Sequence, residues 1–108
     1  MPRRGEIWLV RLDPVVGSEI RKTRPCLVVG TDILNERRRT VIVVPLSSSP
    51  QASPPILVPL ACAGRRAVAV IDQIRAVSKE RFDSLVDSVT GEELAAVEGA
   101  LREVLDLP

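Results

Sequence analysis

Five short segments of the chain are rich in apolar residues: 5–13, 25–29, 40–46, 56–60 and 67–71. The first segment alternates in part between its two faces, which is typical of a half-buried strand. The β-branched run at 40–46 is apolar throughout and indicates a central strand with both faces covered. Pro59 has no backbone N–H, so we expect its strand to lie at a sheet edge. The pattern therefore predicts about five short strands.

Helical signals are confined to three places. Thr31 precedes an acidic first turn and predicts a single helical turn, with the arginines at 37–39 at the tip of the following turn. Residues 78–82 predict a second short helical turn. The sequence from Thr90 to Glu93 is a capping box. It is followed by apolar residues at helical spacing, namely Leu94, Val97, Leu101, Val104 and Leu105. We expect an amphipathic C-terminal helix of about three to four turns there.

The length of 108 residues and the 45% apolar content fit one domain over residues 1–108. Short strands with a terminal helix predict a mainly β, α+β fold. Its sheet would be a small, strongly curved sheet or partial barrel with helices packed outside, and period and length alone leave other α+β arrangements open.

Charge is segregated along the sequence. Residues 1–39 carry nine basic and five acidic side chains, and residues 64–82 carry five basic and two acidic ones. Residues 40–63 carry none, and residues 83–108 carry one basic and seven acidic side chains. A basic body with an acidic tail favours a polyanion binder. One Trp, one Phe and no Tyr disfavour base stacking on aromatic platforms. No apolar run approaches the roughly 20 residues that span a bilayer, so we expect a cytosolic protein.

The junction of a charged loop with the strand at 25–29 is the candidate site. Pro25 restricts Arg24 to extended backbone, which preorganises its guanidinium for an anion, and Glu19 lies five residues earlier. A plain surface ion pair between Arg24 and Glu19 remains an alternative. The chain has no His, which excludes Ser-His-Asp and Cys-His catalysis within one chain. The acidic residues at 13, 19, 32 and 72 are scattered singly, which is a poor match to a two-metal nuclease.

The remaining chemistry is one in which the substrate supplies its own nucleophile, as RNA does through its 2′-hydroxyl. Arginine can neutralise the charge that develops on phosphorus, and a serine hydroxyl can bind a nonbridging oxygen. The candidates are Arg24 and Arg75 for the charge, Ser47 or Ser48 for the hydroxyl, and Glu19 or Asp72 for accepting the proton. Each of them also fits a purely structural role, such as a loop cap or a strand-end salt bridge.

Four motifs in order resemble the MazF/PemK/Kid family of toxin endoribonucleases. They are Arg4-Gly5-Glu6-Ile7-Trp8-Leu9-Val10, Gly17-Ser18-Glu19 with Arg24-Pro25, residues 40–47 and Ile71-Asp72-Gln73-Ile74-Arg75-Ala76-Val77. The resemblance implies a homodimer on an SH3-like barrel that cleaves single-stranded mRNA without a metal or cofactor and without the ribosome. The expected products carry a 2′,3′-cyclic phosphate and a 5′-hydroxyl. It also implies a cognate antitoxin, MazE-like, with an acidic, apolar tail that occupies the RNA groove.

The resemblance also assigns the site residues. Arg24 and Ser47 correspond to the catalytic pair, with Ser47 standing where Thr is usual, and Glu19 is assigned with them. Asp72, Gln73 and Arg75 match a family motif and are assigned to RNA binding, and Ser48 joins them through its hydroxyl. Arg21, Lys22 and Thr23 depart from the Gln-Gly-rich loop usual in the family, and we expect this basic segment to add attraction for RNA phosphates. The loop at 48–55 and the segment 61–66 are expected to set the recognised RNA sequence. Two alternatives are a noncatalytic, CcdB-like gyrase poison of the same fold and a passive RNA-binding barrel.

Overall fold

The computed structural model describes residues 1–12, 17, 22–48 and 51–108. Its strands are β1 (Glu6–Arg11), β2 (Thr23–Val28), β3 (Thr40–Ser47), β4 (Leu57–Cys62), β5 (Arg65–Val70), β6 (Arg75–Ser78) and β7 (Phe82–Ser88). Its α-helices are α1 (Asp32–Arg37) and α2 (Gly91–Val104). Short 3₁₀ turns at Ile71–Gln73 and Lys79–Arg81 precede β6 and β7.

The strands form one antiparallel sheet in which β3 is central. The order along the sheet is β4-β5-β3-β2-β1-β7, and β6 also pairs with β3. One edge of β3 holds β2, and its other edge is shared by β6 at residues 40–43 and by β5 at residues 46–47. Because one strand edge serves two partners, the sheet curls into a half-barrel. The predicted mainly β, strongly curved fold is confirmed.

The β3 sequence explains its central position. Valine and isoleucine fill it, and β-branched side chains pack well on a pleated surface with both faces covered. Buried residues divide into two clusters on the two faces of the sheet. One cluster includes Leu27, Val44 and Leu46 and reaches Val97 and Ala100 of α2. The other includes Cys26, Val28 and Val43, and Trp8 and Phe82 pack against it with their two rings edge to face with each other.

Both helices begin at the predicted caps. The Thr31 hydroxyl accepts a hydrogen bond from the Leu34 N–H, and the Thr90 hydroxyl accepts one from the Glu93 N–H at 3.1 Å. The Glu93 carboxylate accepts in return from the Thr90 N–H at 2.9 Å, which completes the capping box. The predicted C-terminal helix is confirmed. Its apolar stripe ends at Val104, because Leu105 is the C-cap and is 48% exposed.

Two corrections concern the strands. Five strands were predicted from the sequence, whereas the described residues form seven. The two strands that were not predicted are β6 and β7. β6 has only four residues, and β7 is mostly exposed or half-buried, so neither carries a long apolar run. The prediction that Pro59 marks an edge strand is confirmed, since β4 ends the sheet order. Within the described residues, no helix is both long and apolar enough to cross a membrane.

Candidate active site

Arg24 and Ser47 approach each other at the open end of the β2–β3 pair. The register pairs Cys26 with Pro45, Leu27 with Val44 and Val28 with Val43. Continuing this antiparallel register by two residues brings Arg24 opposite Ser47. Pro25 follows Arg24 and has a fixed φ. A residue before proline is restricted to extended backbone, so the Arg24 side chain extends from a backbone with little freedom. The neighbouring β1 strand pairs Val10 with Arg24, which holds β2 from its other edge.

A hairpin delivers two further arginines to the same place. Ser47 pairs with Val68 of β5, and the preceding residues Arg65 and Arg66 extend past the end of β3. The connection from β4 to β5 is a two-residue turn with φ of 52° at Ala63 and 77° at Gly64. Two successive positive φ values are what a tight hairpin turn requires, and Gly64 adopts its value without steric cost.

These elements enclose a pocket of about 170 Å³. Its lining residues are Arg24, Pro25, Leu46, Ser47, Ser48, Cys62, Arg65, Arg66 and Ala67. Three arginines and two hydroxyls face an otherwise apolar cavity, and among the residues that the structure describes the lining includes no acidic residue and no residue of α2. Such a site attracts an anion that can also accept hydrogen bonds, which describes a phosphate group.

Two carboxylates anchor the hairpin from behind. The Ala63 N–H donates to Asp87 Oδ2 at 2.8 Å, and the Ala61 N–H donates to Glu93 Oε2 at 2.8 Å. Hydrogen bonds from the Ala63 and Ser88 N–H groups lower the pKa of Asp87. Burial raises the pKa of Glu93, but its hydrogen bonds with Thr90 and Ala61 outweigh this and the net pKa is lowered. Both groups are therefore ionised at neutral pH, and they satisfy N–H groups of the edge strand β4 and its turn.

The two cysteines are thiols, not nucleophiles. Burial raises the pKa of Cys26 to about 12, although the nearby charge of Arg75 acts in the opposite direction. Burial, and then the charge of Asp87, raise the pKa of the pocket residue Cys62. Since the thiolate is the reactive form, neither side chain is activated for attack at neutral pH. Cys26 is fully buried and packs in the core as a small apolar residue.

The other predicted binding residues divide between two locations. Lys22 and Thr23 precede Arg24 in sequence and are exposed where β2 begins, and neither is a lining residue of the pocket. Asp72 is exposed and Gln73 half-buried in the turn after β5, and neither lines the pocket. The structure therefore brings Arg24, Ser47 and Ser48 together but sets the Asp72 turn apart from them.

Arg75 lies outside the pocket lining but shares a sheet face with Ser47. It pairs with Val43 on β3, and residues opposite each other in an antiparallel pair project to the same face. Val43 and Ser47 also share a face because the side-chain period of a strand is two. Four residues along a strand span about 13 Å, and the Arg75 charge acts on Cys26, which pairs with Pro45, two residues before Ser47.

Glu19 and Arg21, both predicted site residues, lie outside the described residues. Arg65 and Arg66 are pocket residues that the sequence analysis did not select individually, although segment 61–66 was expected to set specificity. The available signal was Gly64 between two apolar runs, which marks a hairpin turn with a basic pair directly after it. In the described part of the chain, no group of three or more Cys, Asp or Glu side chains is placed to hold a metal ion.

The first motif of the sequence, by contrast, forms a structural anchor. The Arg4 guanidinium donates to the Val29 carbonyl and to the Glu98 carboxylate, and so ties the N-terminal segment to the end of β2 and to α2. The Glu6 carboxylate accepts from the Trp8 indole N–H at 3.0 Å and from the Arg3 N–H at 2.7 Å. These contacts hold β1 in place beside β2.

Comparison with known proteins gives one consistent match. The family model described as PemK-like, MazF-like toxin of type II toxin-antitoxin system matches residues 3–105. Endoribonuclease MazF9 of Mycobacterium tuberculosis is 37% identical over 99% of this chain and 98% of its own length. Endoribonuclease EndoA of Bacillus subtilis is 33% identical over 97% of this chain and 95% of its own.

Solved structures agree with this match at the level of the fold. MazF from Deinococcus radiodurans superimposes with a TM-score of 0.87 and 25% identity, and the alignment covers 98% of this chain and 97% of that one. An endoribonuclease from a mycobacterial species, solved in complex with its cognate antitoxin, has a TM-score of 0.83 and 22% identity, with 100% and 98% coverage.

Proposed function

The chain belongs to the PemK-like, MazF-like toxins of type II toxin-antitoxin systems and is an endoribonuclease, and from this premise we propose that Arg24 and Ser47 form its RNA-cleaving centre. The observation that supports the proposal is that Arg24 and Ser47 line one pocket together with Arg65 and Arg66, beyond the last β2–β3 pair, Cys26 with Pro45. Both family membership and the pocket favour a phosphate of single-stranded RNA as the bound group.

The proposed reaction is an internal transfer at that phosphate. The ribose 2′-oxygen forms a bond to phosphorus and the bond from phosphorus to the 5′-oxygen breaks, which leaves a 2′,3′-cyclic phosphate and a 5′-hydroxyl. The proton lost by the 2′-hydroxyl is matched by one gained by the 5′-oxygen, so no water or other co-reactant is consumed. Because the nucleophile belongs to the substrate, the protein's task is positioning and charge stabilisation.

Arg24 and Ser47 divide that task. The Arg24 guanidinium presents several N–H donors in a fixed plane and binds the nonbridging phosphate oxygens, whose negative charge grows as the fifth bond to phosphorus forms. The Ser47 hydroxyl donates a hydrogen bond to one of those oxygens and keeps the phosphate in line. Arg65 and Arg66 raise the local concentration of RNA and lower the cost of bringing a further anion to the pocket.

Glu19 is our candidate for the group that accepts the 2′-hydroxyl proton. Asp72, the alternative, is exposed and does not line the pocket, so it is the weaker candidate. Glu19 precedes Arg24 by five residues on the basic segment that leads into β2. We assign Arg21, Lys22 and Thr23 of that segment to the RNA backbone, and Gln73 and Arg75 to a neighbouring nucleotide.

An antitoxin blocks this site in our proposal. Relatives of the same fold have been solved with their antitoxins, and the pocket here combines arginines with an apolar floor. A disordered tail bearing acidic and apolar side chains matches both features and can fold on binding. Homodimer formation and a cytoplasmic location, which the family resemblance implies, stay predictions. Light scattering on the purified chain and fractionation of cells test them.

The experiment is cleavage of a long single-stranded RNA by the purified chain with EDTA present, followed by sequencing of the new 5′ ends. We expect cuts at one short sequence and 5′-hydroxyl ends. Intact RNA together with inhibition of a DNA gyrase would support the gyrase-poison alternative. Salt-sensitive RNA binding with no product would support a passive RNA-binding barrel. Cleavage that persists at saturating antitoxin would contradict the proposed occlusion.

A further inference from the structure

A second basic surface lies at the opposite end of β3 from the pocket. Arg37, Arg38 and Arg39 connect α1 to β3, and Lys79 follows β6. These four side chains, here called the basic turn, line a shallow cavity of about 380 Å³ with Glu36, Ser78 and Glu80. Nothing in the proposed cleavage reaction uses them.

The fold brings the lysine to the arginines. β3 pairs with β6 so that Thr40 lies opposite Ser78, and the Lys79 N–H donates to the Arg39 carbonyl at 2.9 Å. A residue forty positions away in sequence is therefore fixed beside the arginine run by backbone hydrogen bonds. The position of the charges is set by the sheet and does not depend on flexible side chains alone.

The described residues leave these charges without a side-chain partner. In the parts of the chain that the structure describes, no ion pair and no side-chain hydrogen bond involves Arg37, Arg38, Arg39 or Lys79. Arg37 lies in the last turn of α1, where the helix dipole stabilises a positive charge. Arg38 and Arg39 lie beyond the helix and do not gain this stabilisation in the same way. Glu36 and Glu80 offset two of the four positive charges, so the surface keeps a net charge of +2. Three exposed guanidinium groups without an internal partner are available to an external anion.

The lining favours a nucleic acid backbone over a protein tail. Every lining residue in the described part of the chain is polar or charged, and among these residues no apolar or aromatic side chain is offered on which a folded peptide or a base can pack. An acidic peptide needs apolar contacts to offset its ordering entropy, whereas RNA presents one phosphate per nucleotide in any sequence. Contacts here would therefore be to phosphates and independent of sequence.

The distance to the pocket determines what part of the RNA binds. The eight residues of β3 separate the two sites, and seven steps along a strand span roughly 23 Å. The overall extents of the molecule are 31 × 29 × 28 Å, so the two sites lie near opposite ends of it. An RNA that occupies both sites must continue well beyond the cleaved bond.

We infer that the basic turn is a second RNA-binding site that holds backbone phosphates of the strand flanking the cleavage site. This inference rests on the proposed function. It predicts that the chain prefers long single-stranded RNA over a short oligonucleotide with the same cleaved sequence, and that the preference disappears when the basic turn loses its charge.

The test compares the double variant Arg38→Gln/Arg39→Gln with the control variant Arg3→Gln/Arg102→Gln. Both remove two positive charges, and the control residues lie at the N-terminus and on α2. Binding is measured by fluorescence anisotropy on RNAs with a 2′-O-methyl group at the cleaved nucleotide, which binds but lacks the nucleophile. One RNA covers only the cleaved sequence, and a series extends it by single nucleotides on either side. Cleavage of the matching unmodified RNAs is measured in parallel.

We expect wild type and control to bind the extended RNAs more tightly than the short one. The double variant should bind the short RNA equally well and the extended RNA about three- to tenfold more weakly. If two phosphate contacts are lost, the slope of log K against log salt should fall by about 1.4 for single-stranded RNA. The effect should appear in KM and not in kcat.

Three results would overturn the inference. One is an extended-RNA affinity of the double variant equal to that of the control. Another is equal weakening for short and extended RNA, which would indicate a general charge effect. The third is a weaker antitoxin complex with unchanged RNA binding, which would assign the surface to protein. If wild type cleaves RNA but shows no length preference, only the second site is lost; if it neither binds nor cleaves RNA, the proposed function fails first.

Discussion

The two ends of β3 carry the same kind of charge but different surroundings. At the Ser47 end, arginines from two strands surround a small cavity with two hydroxyls and an apolar floor, and the hairpin that completes it is anchored by Asp87 and Glu93. At the Thr40 end, the arginines of the basic turn project from a polar, shallow surface. Positive charge alone attracts a polyanion, whereas catalysis also needs a fixed guanidinium and a hydroxyl at one phosphate. We therefore expect changes to the arginine at the Ser47 end to lower kcat, and removal of charge at the Thr40 end to raise KM.

The largest effect is expected from Arg24→Lys. Lysine keeps the charge but loses the planar set of donors, so binding of RNA should change little while kcat falls by about 10²- to 10³-fold. Single-turnover cleavage separates the two quantities. Arg24 is exposed, so the variant should unfold at the same urea concentration as wild type. If the lysine variant kept the wild-type kcat, positive charge alone would be sufficient at the Ser47 end, as it is at the Thr40 end.

The next effect concerns the hydroxyl of Ser47. Ser47→Ala should lower kcat by about 10²-fold, as removal of one transition-state hydrogen bond does. Ser47→Thr keeps the hydroxyl and should stay within about tenfold of wild type. Single-turnover rates on one RNA, with thermal unfolding as the control for folding, provide the measurement. Equal losses in both variants would show that the position is sensitive to packing and not to the hydroxyl.

The anchoring carboxylates give a smaller, pH-dependent effect. A carboxylate whose pKa is lower in the folded state stabilises the fold above its unfolded pKa, and this stability is lost as the pH falls through the folded pKa. The pKa of Glu93 is lowered, and the unfolded value is about 4.3, so the loss should begin near pH 4. Glu93→Gln keeps the capping-box acceptor but loses the negative charge at the helix N-terminus, so it should cost about 0.3–1 kcal/mol at pH 7 and less at pH 3. Urea unfolding at both pH values measures the difference; a cost independent of pH would contradict the role of the charge.

The smallest effect is expected at the turn of the hairpin. Ala63 has a positive φ, which costs a residue with a Cβ about 1–2 kcal/mol, and glycine removes that cost but loses more entropy on folding. Ala63→Gly should therefore stabilise the protein by about 0.5–1 kcal/mol. The control Ala61→Gly, at the second-last residue of β4, should destabilise it by about the same amount. Thermal unfolding compares them, and a destabilised Ala63→Gly would show that the turn is not strained.

Sequence reasoning succeeded where the signal is local. The β-branched run of β3 and the capping box of α2 each specify their element within a few residues. β7 was not predicted because it pairs with β1 through a shifted register and buries little of its surface, so alternation is weak. The strands predicted at 56–60 and 67–71 stop short of the turn, whereas β4 extends to Cys62 and β5 begins at Arg65. The N–H groups of Ala61 and Ala63 are satisfied by Glu93 and Asp87, which lie far along the chain and give no local signal.

The candidate site also combines residues that have a local sequence signal with residues that only the tertiary fold brings to the pocket. Arg24 was predictable from the proline that follows it and from the family resemblance, and Ser47 from its position at the end of a central strand. Arg65 and Arg66 enter the pocket only because β5 pairs with the end of β3, which no local pattern shows. Asp72 appeared equally suitable in sequence, yet the turn that carries it lies outside the pocket lining.

The central claim is that the RNA supplies its own attacking oxygen to a phosphate held by Arg24 and Ser47. The direct measurement uses an RNA with a single 2′-deoxyribose at the cleaved nucleotide, and mass spectrometry of the products from the unmodified RNA. We predict that the deoxy RNA binds with unchanged affinity and stays intact, and that the unmodified RNA yields a 2′,3′-cyclic phosphate. Cleavage of the deoxy RNA at the same bond would contradict the account, because the nucleophile would then come from water or from the protein.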